Sequence, residues 1–376
     1  EDIEIPMLND KVRDLLLTRA SEDFDWSDIS PTIFGAVFES TLNPETRRSG
    51  GMHYTSIENI HKVIDPLFLD ELRDELNDIV TIKTIKTRKE RIREFQDKIA
   101  KLKFLDPACG SGNFLTETYL SLRRLENRGL EAIQGGQIGF GDGNISPIKV
   151  SIQQFYGIEI NDFAVTVAKT ALWIAEAQMM HETEEILHMN LQFLPLKSYA
   201  NIVEGNALRI DWNDVVDKNE LNYIMGNPPF IGQAMRSKEQ AIDMQNVFAP
   251  SNIGGKLDYV AGWFKKAFDM MKNTNIETAF VSSNSICQGE SVNLLWELLL
   301  KNNIYINFAY TTFKWTSEAK EKAAVMCVIV GFSFVNRSKK YLYYDEQYKE
   351  VEHINGYLNP APNIFIKNRS QSINKG

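Results

Sequence analysis

Apolar side chains recur every three or four residues along the first hundred residues, at the spacing of amphipathic helices. The pattern is clearest in three segments, 8–20, 31–42 and 56–77. Over 83–103, basic and acidic residues alternate at helical spacing, which is typical of a solvent-exposed helix face; a surface that faces phosphates is the alternative. The sequence therefore predicts a mostly helical N-terminal region.

From residue 101 onward, short apolar runs alternate with longer helical stretches. The short runs predict strands at 104–105, 154–158, 202–204, 221–225, 278–282, 305–310 and 323–334. Helices are predicted after the first two strands, to about residue 126 and over 162–180, and later over 257–271 and 292–300. No helix separates the last two strands, so we expect them to pair antiparallel. An α/β fold follows, in which a mostly parallel sheet ends in an antiparallel hairpin.

Length and composition fit one large α/β domain with a smaller appendage. The chain has 376 residues, of which 43% are hydrophobic and 24% are charged, so it can bury a sizeable core. Its formal net charge is −9, so any nucleic-acid contact must come from a local basic patch. No apolar run reaches the length of a membrane span and no charged-then-apolar leader opens the chain, so we expect a cytoplasmic protein. Because Glu1 stands inside a helical pattern, we expect a fragment excised from a longer polypeptide.

The spacing of cysteine and histidine residues argues against a metal site or a disulfide framework. Cys109, Cys287 and Cys327 are scattered along the chain. His181 opens a pattern like that of zinc proteases, but Glu185 stands where the second histidine should be. We therefore expect no metal.

The first predicted strand leads into a glycine turn at 106–115, with the sequence Asp-Pro-Ala-Cys-Gly-Ser-Gly-Asn-Phe-Leu. A strand, a glycine turn and a helix form the start of a mononucleotide-binding unit, in which glycines let a ligand approach the backbone closely. A dinucleotide fingerprint needs a third glycine where Leu115 stands, and the Gly-Lys-Ser/Thr of a P-loop is absent. Neither phosphate motif fits, which argues against a nicotinamide oxidoreductase.

The second predicted strand ends at Glu159, which we expect to lie beside the glycine turn. A carboxylate at that position can accept hydrogen bonds from both ribose hydroxyls of a nucleoside. A helix-entry carboxylate that suits the helix dipole is the alternative. The two strand ends together favour a nucleoside ligand without a pyrophosphate, and S-adenosylmethionine meets that requirement.

The fourth predicted strand leads into the loop Asn227-Pro228-Pro229-Phe230. The two prolines fix φ and remove two backbone N–H donors, so the loop presents carbonyl oxygens, a carboxamide and an aromatic face. Such a pocket suits an exocyclic amine on a base: its N–H groups would donate to Asn227 Oδ1 and the Pro228 carbonyl, and Phe230 would stack on the ring. An ordinary strand-ending turn is the alternative. The predicted chemistry is direct methyl transfer without a covalent nucleophile; no Pro-Cys dipeptide occurs, which argues against cytosine-C5 methylation.

Three motifs occur in the order found in the γ-class adenine-N6 DNA methyltransferases, and the chain resembles that class. They are Gly-Met-His-Tyr-Thr at 51–55, the glycine motif at 106–115, and Asn-Pro-Pro-Phe at 227–230. Further segments, at 33–39, 65–69, 313–315 and 322–325, are similar to those of the type IIL (MmeI-like) bifunctional restriction–modification enzymes. The resemblance covers nearly the whole chain and implies the class I, Rossmann-like fold of methyltransferases that depend on S-adenosylmethionine.

The resemblance also implies roles for individual residues. Tyr54 and Thr55 would hold the methionine end of the cofactor, and Glu159 would bind its ribose. Asn206 stands where the wider family usually has aspartate, at the position that binds the adenine amine of the cofactor. Phe313, in the loop before the last strand, matches the aromatic residue that packs on the flipped base; a residue that only packs the hairpin is the alternative. The other implied cofactor contacts are Asp106, Ala108, Gly110, Gly112, Asn113, Phe114, Ile160 and Ala207, and the implied catalytic set is Asn227, Pro228, Pro229, Phe230 and Phe313.

The implied function is site-specific transfer of a methyl group from S-adenosylmethionine to N6 of a flipped adenine in double-stranded DNA, as part of a prokaryotic restriction–modification enzyme. N4-cytosine methylation and methylation of an RNA or protein-glutamine amine are the alternatives. The implied domains are a helical N-terminal region, 1–100, a catalytic domain, 101–335, and a C-terminal extension, 336–376. A nuclease upstream and a target-recognition domain downstream are expected outside this chain.

Overall fold

A computed structural model describes residues 9–18, 30–31, 55–134, 147–188, 200–314, 326–344 and 347–365. Tyr54, all but the first residue of the predicted helix at 31–42, and the segment 322–325 lie outside the described residues. Within the described ranges, no helix combines the length and the apolar character that a membrane span requires.

Helices fill the described N-terminal region, as the apolar spacing predicts. They are α1 (Asp10–Leu17), α2 (Ile57–Ile64), α3 (Asp70–Val80) and α4 (Ile85–Ile99), and a π-helical turn, Asp65–Leu69, joins α2 to α3. Helix α4 buries Ile92, Phe95 and Ile99 and leaves most of its basic residues exposed. Its basic run is therefore largely a solvent-exposed face, in which Arg91 pairs with Glu94 at 2.7 Å.

Nine strands of the described chain form a single sheet. They are β1 (Phe104–Asp106), β2 (Phe155–Glu159), β3 (Asn201–Glu204), β4 (Tyr223–Gly226), β5 (Glu277–Ser283), β6 (Tyr305–Lys314), β7 (Met326–Ser333), β8 (Lys340–Tyr344) and β9 (Gln347–Val351). Their order is β3-β2-β1-β4-β5-β7-β6-β8-β9. The first five strands of that order pair parallel, and β7 pairs antiparallel with both β5 and β6. The predicted fold class and the antiparallel hairpin are confirmed.

Helices pack against both faces of the sheet. After α4 the chain forms α5 (Asn113–Gln134), α6 (Asp162–Leu187), α7 (Trp212–Val215), α8 (Lys238–Val247), α9 (Ala261–Met271), α10 (Gly289–Ser291) and α11 (Glu297–Lys301). Helices α5 and α6 run beyond their predicted ends. The fully buried Arg123 holds these two together, because it pairs with Glu126 on α5 and donates to Thr183 Oγ1 on α6 at 2.7 Å.

The core has two halves, one on each face of the sheet, because neighbouring strand residues point to opposite faces. Phe104 and Met225 pack on the side of α2 to α6, whereas Leu105 and Ile224 pack on the side of α9 and α11. A parallel sheet that is covered on both faces exposes functional groups at the carboxyl ends of its strands. The glycine turn, Glu159 and the loop after β4 all lie at such ends.

The C-terminal extension contributes two strands that the apolar pattern did not predict. Strand β8 pairs parallel with β6, and β9 pairs antiparallel with β8. Strand β9 is almost wholly exposed, so it lacks the apolar alternation by which a half-buried strand is recognised. Strand β6 is also longer than predicted: Phe313 lies within it, opposite Cys327, and the expectation of a loop at Phe313 is wrong.

Arg337 fastens the N-terminal helices to the sheet. Its guanidinium pairs with Glu277 of β5 at 2.8 Å and donates to the carbonyls of Pro66 and Leu67, at 2.9 and 2.6 Å, in the π-helical turn. Those carbonyls lie within the π-helical turn between α2 and α3, so Arg337 links the backbone of this turn to the carboxylate of Glu277 on the sheet. The contact fixes α2, and hence the preceding Thr55, relative to the strand ends.

Candidate active site

Two glycines give the turn after β1 its shape. Gly110 and Gly112 have φ of 53° and 82°, in the left-handed region that side chains with a Cβ rarely adopt. A Cβ on Gly112 would lie 2.9 Å from Ala168 Cβ on α6, so this glycine allows close packing. A Cβ on Gly110 would have no atom within 4 Å, so this glycine borders open space.

Glu159, at the end of β2, lies directly beside that turn. Its Oε2 accepts a hydrogen bond from the Gly110 N–H and its Oε1 accepts one from the Asn161 N–H, both at 2.9 Å. Burial raises the pKa of this carboxyl, and the backbone donors act in the opposite direction. Each carboxylate oxygen keeps further acceptor capacity, as the binding of a ribose diol requires.

Asp106 lies between the glycine turn and the end of β4. It is 1% exposed, and its Oδ1 accepts from the Ala108 N–H at 3.0 Å. A Cβ on Gly226 would lie 2.4 Å from the same oxygen, so only glycine fits immediately before the Asn-Pro-Pro-Phe loop. Burial, with a smaller contribution from the nearby Glu159, raises the pKa of Asp106 to about 8.

A cleft of about 500 Å³, which includes the space at its mouth, opens at the carboxyl ends of β1, β2, β3 and β4. The exposed Ile160 is part of its wall, and Trp263 is fixed there by a hydrogen bond from Nε1 to the Pro107 carbonyl at 3.0 Å. The lining residues are Pro107, Ala108, Ile158, Ile160, Gly205, Asn206, Ala207, Pro229, Ile231, Gln240, Tyr259 and Trp263.

The cleft brings together predicted and unpredicted residues. Ala108, Ile160, Asn206, Ala207 and Pro229 come from the motifs identified in the sequence. Four other lining residues were not predicted, namely Ile231, Gln240, Tyr259 and Trp263. They come from the segment after the Asn-Pro-Pro-Phe loop, from α8, from the turn before α9 and from α9. Of these, Trp263 had a usable signal, a large aromatic residue within a predicted helix that follows the loop.

Asn227 has a buried acceptor atom to which no described residue donates a hydrogen bond. Its Nδ2 donates to Thr55 Oγ1 at 3.2 Å, and Thr55 is 4% exposed. Within the part of the chain that the structure describes, Asn227 Oδ1 is buried without a hydrogen-bond partner. A buried polar atom without a partner is costly, and a ligand bound at the end of β4 would supply the missing donor. The atom is therefore positioned to accept a hydrogen bond from a bound donor.

The remaining predicted residues divide between the site and the core. Phe230 is half-buried and contacts both halves of the core. Phe313 packs beside Tyr310, with the Lys62 ammonium 5.4 Å from its ring centroid. Asn113 is buried at the start of α5, and Phe114 packs into the core rather than facing the cleft. Among the described residues, no group of three or more His, Cys, Asp or Glu side chains could hold a metal ion.

Comparison with known proteins gives the family. A family model described as "MmeI, DNA-methyltransferase domain" matches residues 82–344. The chain belongs to the MmeI DNA-methyltransferase domain family. This finding confirms the resemblance that the motifs indicated, and the matched region includes the cleft and the Asn-Pro-Pro-Phe loop.

Similar proteins share both sequence and structure with this family member. DNA methyltransferase A of Bacillus subtilis (strain 168) is 42% identical over 362 residues, which cover 95% of this chain and 40% of that protein. The type IIL restriction-modification enzyme MmeI, solved in complex with DNA, matches with a TM-score of 0.88 and 41% identity, over 98% of this chain and 49% of that one. A putative type II restriction enzyme and methyltransferase of Methanocaldococcus jannaschii is 28% identical over 215 residues, 52% of this chain and 18% of that protein. The chain spans less than half the length of these relatives.

Proposed function

We propose that this chain is the catalytic part of a DNA methyltransferase that transfers a methyl group from S-adenosylmethionine to N6 of an adenine flipped out of the duplex. The observation that carries the proposal is Asn227 Oδ1 at the end of β4, which is buried and has no hydrogen-bond partner among the described residues. The exocyclic amine of a base would supply the N–H donor that this acceptor lacks. The Asn227 nitrogen already donates to Thr55, so the carboxamide oxygen can accept a hydrogen bond from the amine without rotating.

The cleft suits the cofactor. Glu159 offers acceptors for a ribose, Ile160 and Trp263 offer apolar walls for a flat base, and Gly110 borders open space where a ligand can approach the backbone. When bound, S-adenosylmethionine supplies an electrophilic methyl group on a sulfonium and leaves as the neutral thioether S-adenosylhomocysteine.

The loop acts on the amine by position and by hydrogen bonding. Asn227 Oδ1 and the Pro228 carbonyl would accept from its two N–H groups, which localises the nitrogen lone pair for attack. Pro229, in the lining of the cleft, connects the loop to the cofactor site. Phe230 and Phe313 would pack on the flipped base. The proton that the amine loses passes to solvent, since the proposal requires no base.

Duplex DNA is the proposed partner, and the proposed place of action is the cytoplasm of a prokaryotic cell. The type IIL enzyme MmeI, whose structure is compared above, was solved in complex with DNA. We propose that regions 1–100, 101–335 and 336–376 belong to a longer restriction–modification polypeptide, with a nuclease upstream and a target-recognition domain downstream. The lengths of the relatives support a longer polypeptide, because this chain spans 40% of one relative and 49% of another.

Transfer of a radiolabelled methyl group tests the proposed substrate class. The full-length polypeptide is incubated with labelled S-adenosylmethionine and, separately, with duplex DNA, RNA or a mixture of proteins. We expect label in DNA alone, and at least a hundredfold less with Asn227→Ala, since loss of one aligned donor–acceptor contact costs ~10²–10³ in rate. Label in RNA or protein but not in DNA would refute the proposal.

A further inference from the structure

Asp243 lies behind the cleft, at the centre of a hydrogen-bond network that includes Asn206. Its side chain is 2% exposed. Asn206 Nδ2 donates to Asp243 Oδ2 at 3.0 Å, and the Tyr259 hydroxyl donates to the same oxygen at 3.2 Å. Arg209 Nε donates to the other oxygen, Oδ1, at 2.7 Å. Three side chains therefore donate to one buried carboxylate, and two of them, Asn206 and Tyr259, line the cleft.

The Asn206 carboxamide is held at both ends. Its Oδ1 accepts from the Leu208 backbone N–H at 2.9 Å, while its Nδ2 faces the carboxylate of Asp243. If the amide were flipped, its nitrogen would face a backbone donor and its oxygen would face a carboxylate, so both contacts would be lost at once. A carboxylate accepts hydrogen bonds and a backbone N–H donates them, so these two partners fix the orientation of the amide. The oxygen keeps capacity for one more donor.

We propose that Asp243 is a positioning residue that locks Asn206 with its oxygen as the acceptor, and that this lock selects a cofactor whose base carries an amine rather than a carbonyl. The inference rests on the proposed function, because it concerns the adenine end of the same cofactor site. Asp243 itself contacts Asn206, Arg209 and Tyr259, and the proposed selection of the base acts through Asn206.

The same geometry explains why an amide suits position 206 in this chain. An aspartate at 206 would place a second carboxylate at about the 3.0 Å that now separates Asn206 Nδ2 from Asp243 Oδ2. Two carboxylates at that distance cannot both be ionised without a large cost. Asparagine keeps one acceptor oxygen for the ligand and supplies the donor that the buried Asp243 requires.

Calorimetric titration with two ligands tests the inference. The probes are S-adenosylhomocysteine and its inosine analogue, in which a carbonyl replaces the adenine amine. We expect the wild-type chain to bind the adenosyl ligand at least tenfold more tightly, since the carbonyl of the inosine analogue would face the Asn206 oxygen and leave this acceptor without a donor. In Asp243→Asn, the side-chain oxygen at position 243 accepts from Arg209. The new amide nitrogen at position 243 then faces the Asn206 nitrogen, so the hydrogen bond that fixes the orientation of Asn206 is lost. The preference should then fall below about threefold.

Two further variants separate positioning from a structural role. Arg209→Gln removes a donor from Asp243 but leaves the bond to Asn206, so it should keep the tenfold preference. The double variant Asn206→Asp/Asp243→Asn exchanges the two groups: the new carboxamide donates to the new carboxylate, which again accepts from the ligand amine. We expect the double variant to recover a preference of at least tenfold, and it decides the matter even where Asp243→Asn alone does not fold.

The outcomes distinguish this inference from the proposed function. If the wild-type chain binds neither ligand, the proposed cofactor is wrong and the inference falls with it. If the wild type prefers the adenosyl ligand but Asp243→Asn keeps that preference, or the double variant fails to recover it, then the role of Asp243 is overturned while the proposed function stands. An equal loss of affinity for both ligands in Asp243→Asn would likewise leave only a structural role.

Discussion

Alanine substitutions at Gly110 and Gly112 should affect the molecule in different ways, although the two glycines are two residues apart in one turn. Both have positive φ, so alanine at either site carries the cost of a left-handed backbone, about 1 kcal/mol. Only Gly112 is closely packed: a Cβ there would lie 2.9 Å from Ala168 Cβ and 3.1 Å from Ala168 Cα. A Cβ at Gly110 would enter open space beside Glu159.

These contacts set the expected magnitudes. Overpacking of a rigid core costs ~1–3 kcal/mol, so Gly112→Ala should lower the free energy of unfolding by roughly 2–4 kcal/mol in total. Gly110→Ala should lower it by only about 1 kcal/mol. Ligand binding should be affected more by Gly110→Ala than by Gly112→Ala, because a methyl group on Gly110 would occupy the space that the proposed ribose and methionine need. We expect Gly110→Ala to reduce the affinity for S-adenosylhomocysteine at least tenfold, the equivalent of ~1.4 kcal/mol.

Urea unfolding followed by tryptophan fluorescence measures the first effect, and calorimetric titration with S-adenosylhomocysteine measures the second. Gly289 provides a matched control, since its φ of 52° is close to the 53° of Gly110 and a Cβ there would also have no atom within 4 Å. Gly289→Ala should share the small stability loss and keep wild-type affinity. The reasoning is refuted if Gly110→Ala destabilises as much as Gly112→Ala, or if it binds the ligand as tightly as Gly289→Ala.

Two further predictions concern the attachment of the N-terminal helices. Arg337→Met should lower the free energy of unfolding by about 3 kcal/mol, because it leaves the carboxylate of Glu277 partly buried without its partner. Recovery of stability in the double variant Arg337→Met/Glu277→Gln would support this cause, and an unchanged urea midpoint in Arg337→Met would contradict it. Hydrogen bonds to Asp65 and Glu117 raise the pKa of His61 to about 9 from 6.5. The stabilisation that this shift provides is complete below pH 6.5 and is lost as pH rises through 9. In urea unfolding, the wild type should therefore be more stable than His61→Gln by at most about 3 kcal/mol at low pH, and this difference in the free energy of unfolding should shrink between about pH 6 and pH 10. An advantage that grows with pH would contradict this.

The parts of the site that could be predicted from sequence are those encoded within one strand end. The glycine turn, Glu159 and the Asn-Pro-Pro-Phe loop each follow a predicted strand, and a parallel sheet brings the carboxyl ends of its strands to one edge. Their proximity therefore followed from the α/β pattern alone. The Gly110 N–H bond to Glu159 Oε2 is the physical expression of that proximity.

The parts that could not be predicted depend on contacts between distant segments. Asn227 and Thr55 are 172 residues apart, and nothing local to either one indicates that they meet. Asp243 lies on α8, for which the periodicity gave no prediction, and its role appears only through its bond to Asn206. The exposed β9 gave no apolar signal because it packs one edge of a hairpin rather than a core.

The central claim is that the carboxamide of Asn227 accepts the amine of an adenine. Mass spectrometry of nucleosides from DNA treated with the full-length polypeptide and S-adenosylmethionine tests it most directly. We predict N6-methyladenine with the wild-type protein and none above background with Asn227→Ala, although that variant still binds S-adenosylhomocysteine. N4-methylcytosine as the product, or N6-methyladenine formed equally well by Asn227→Ala, would contradict the account.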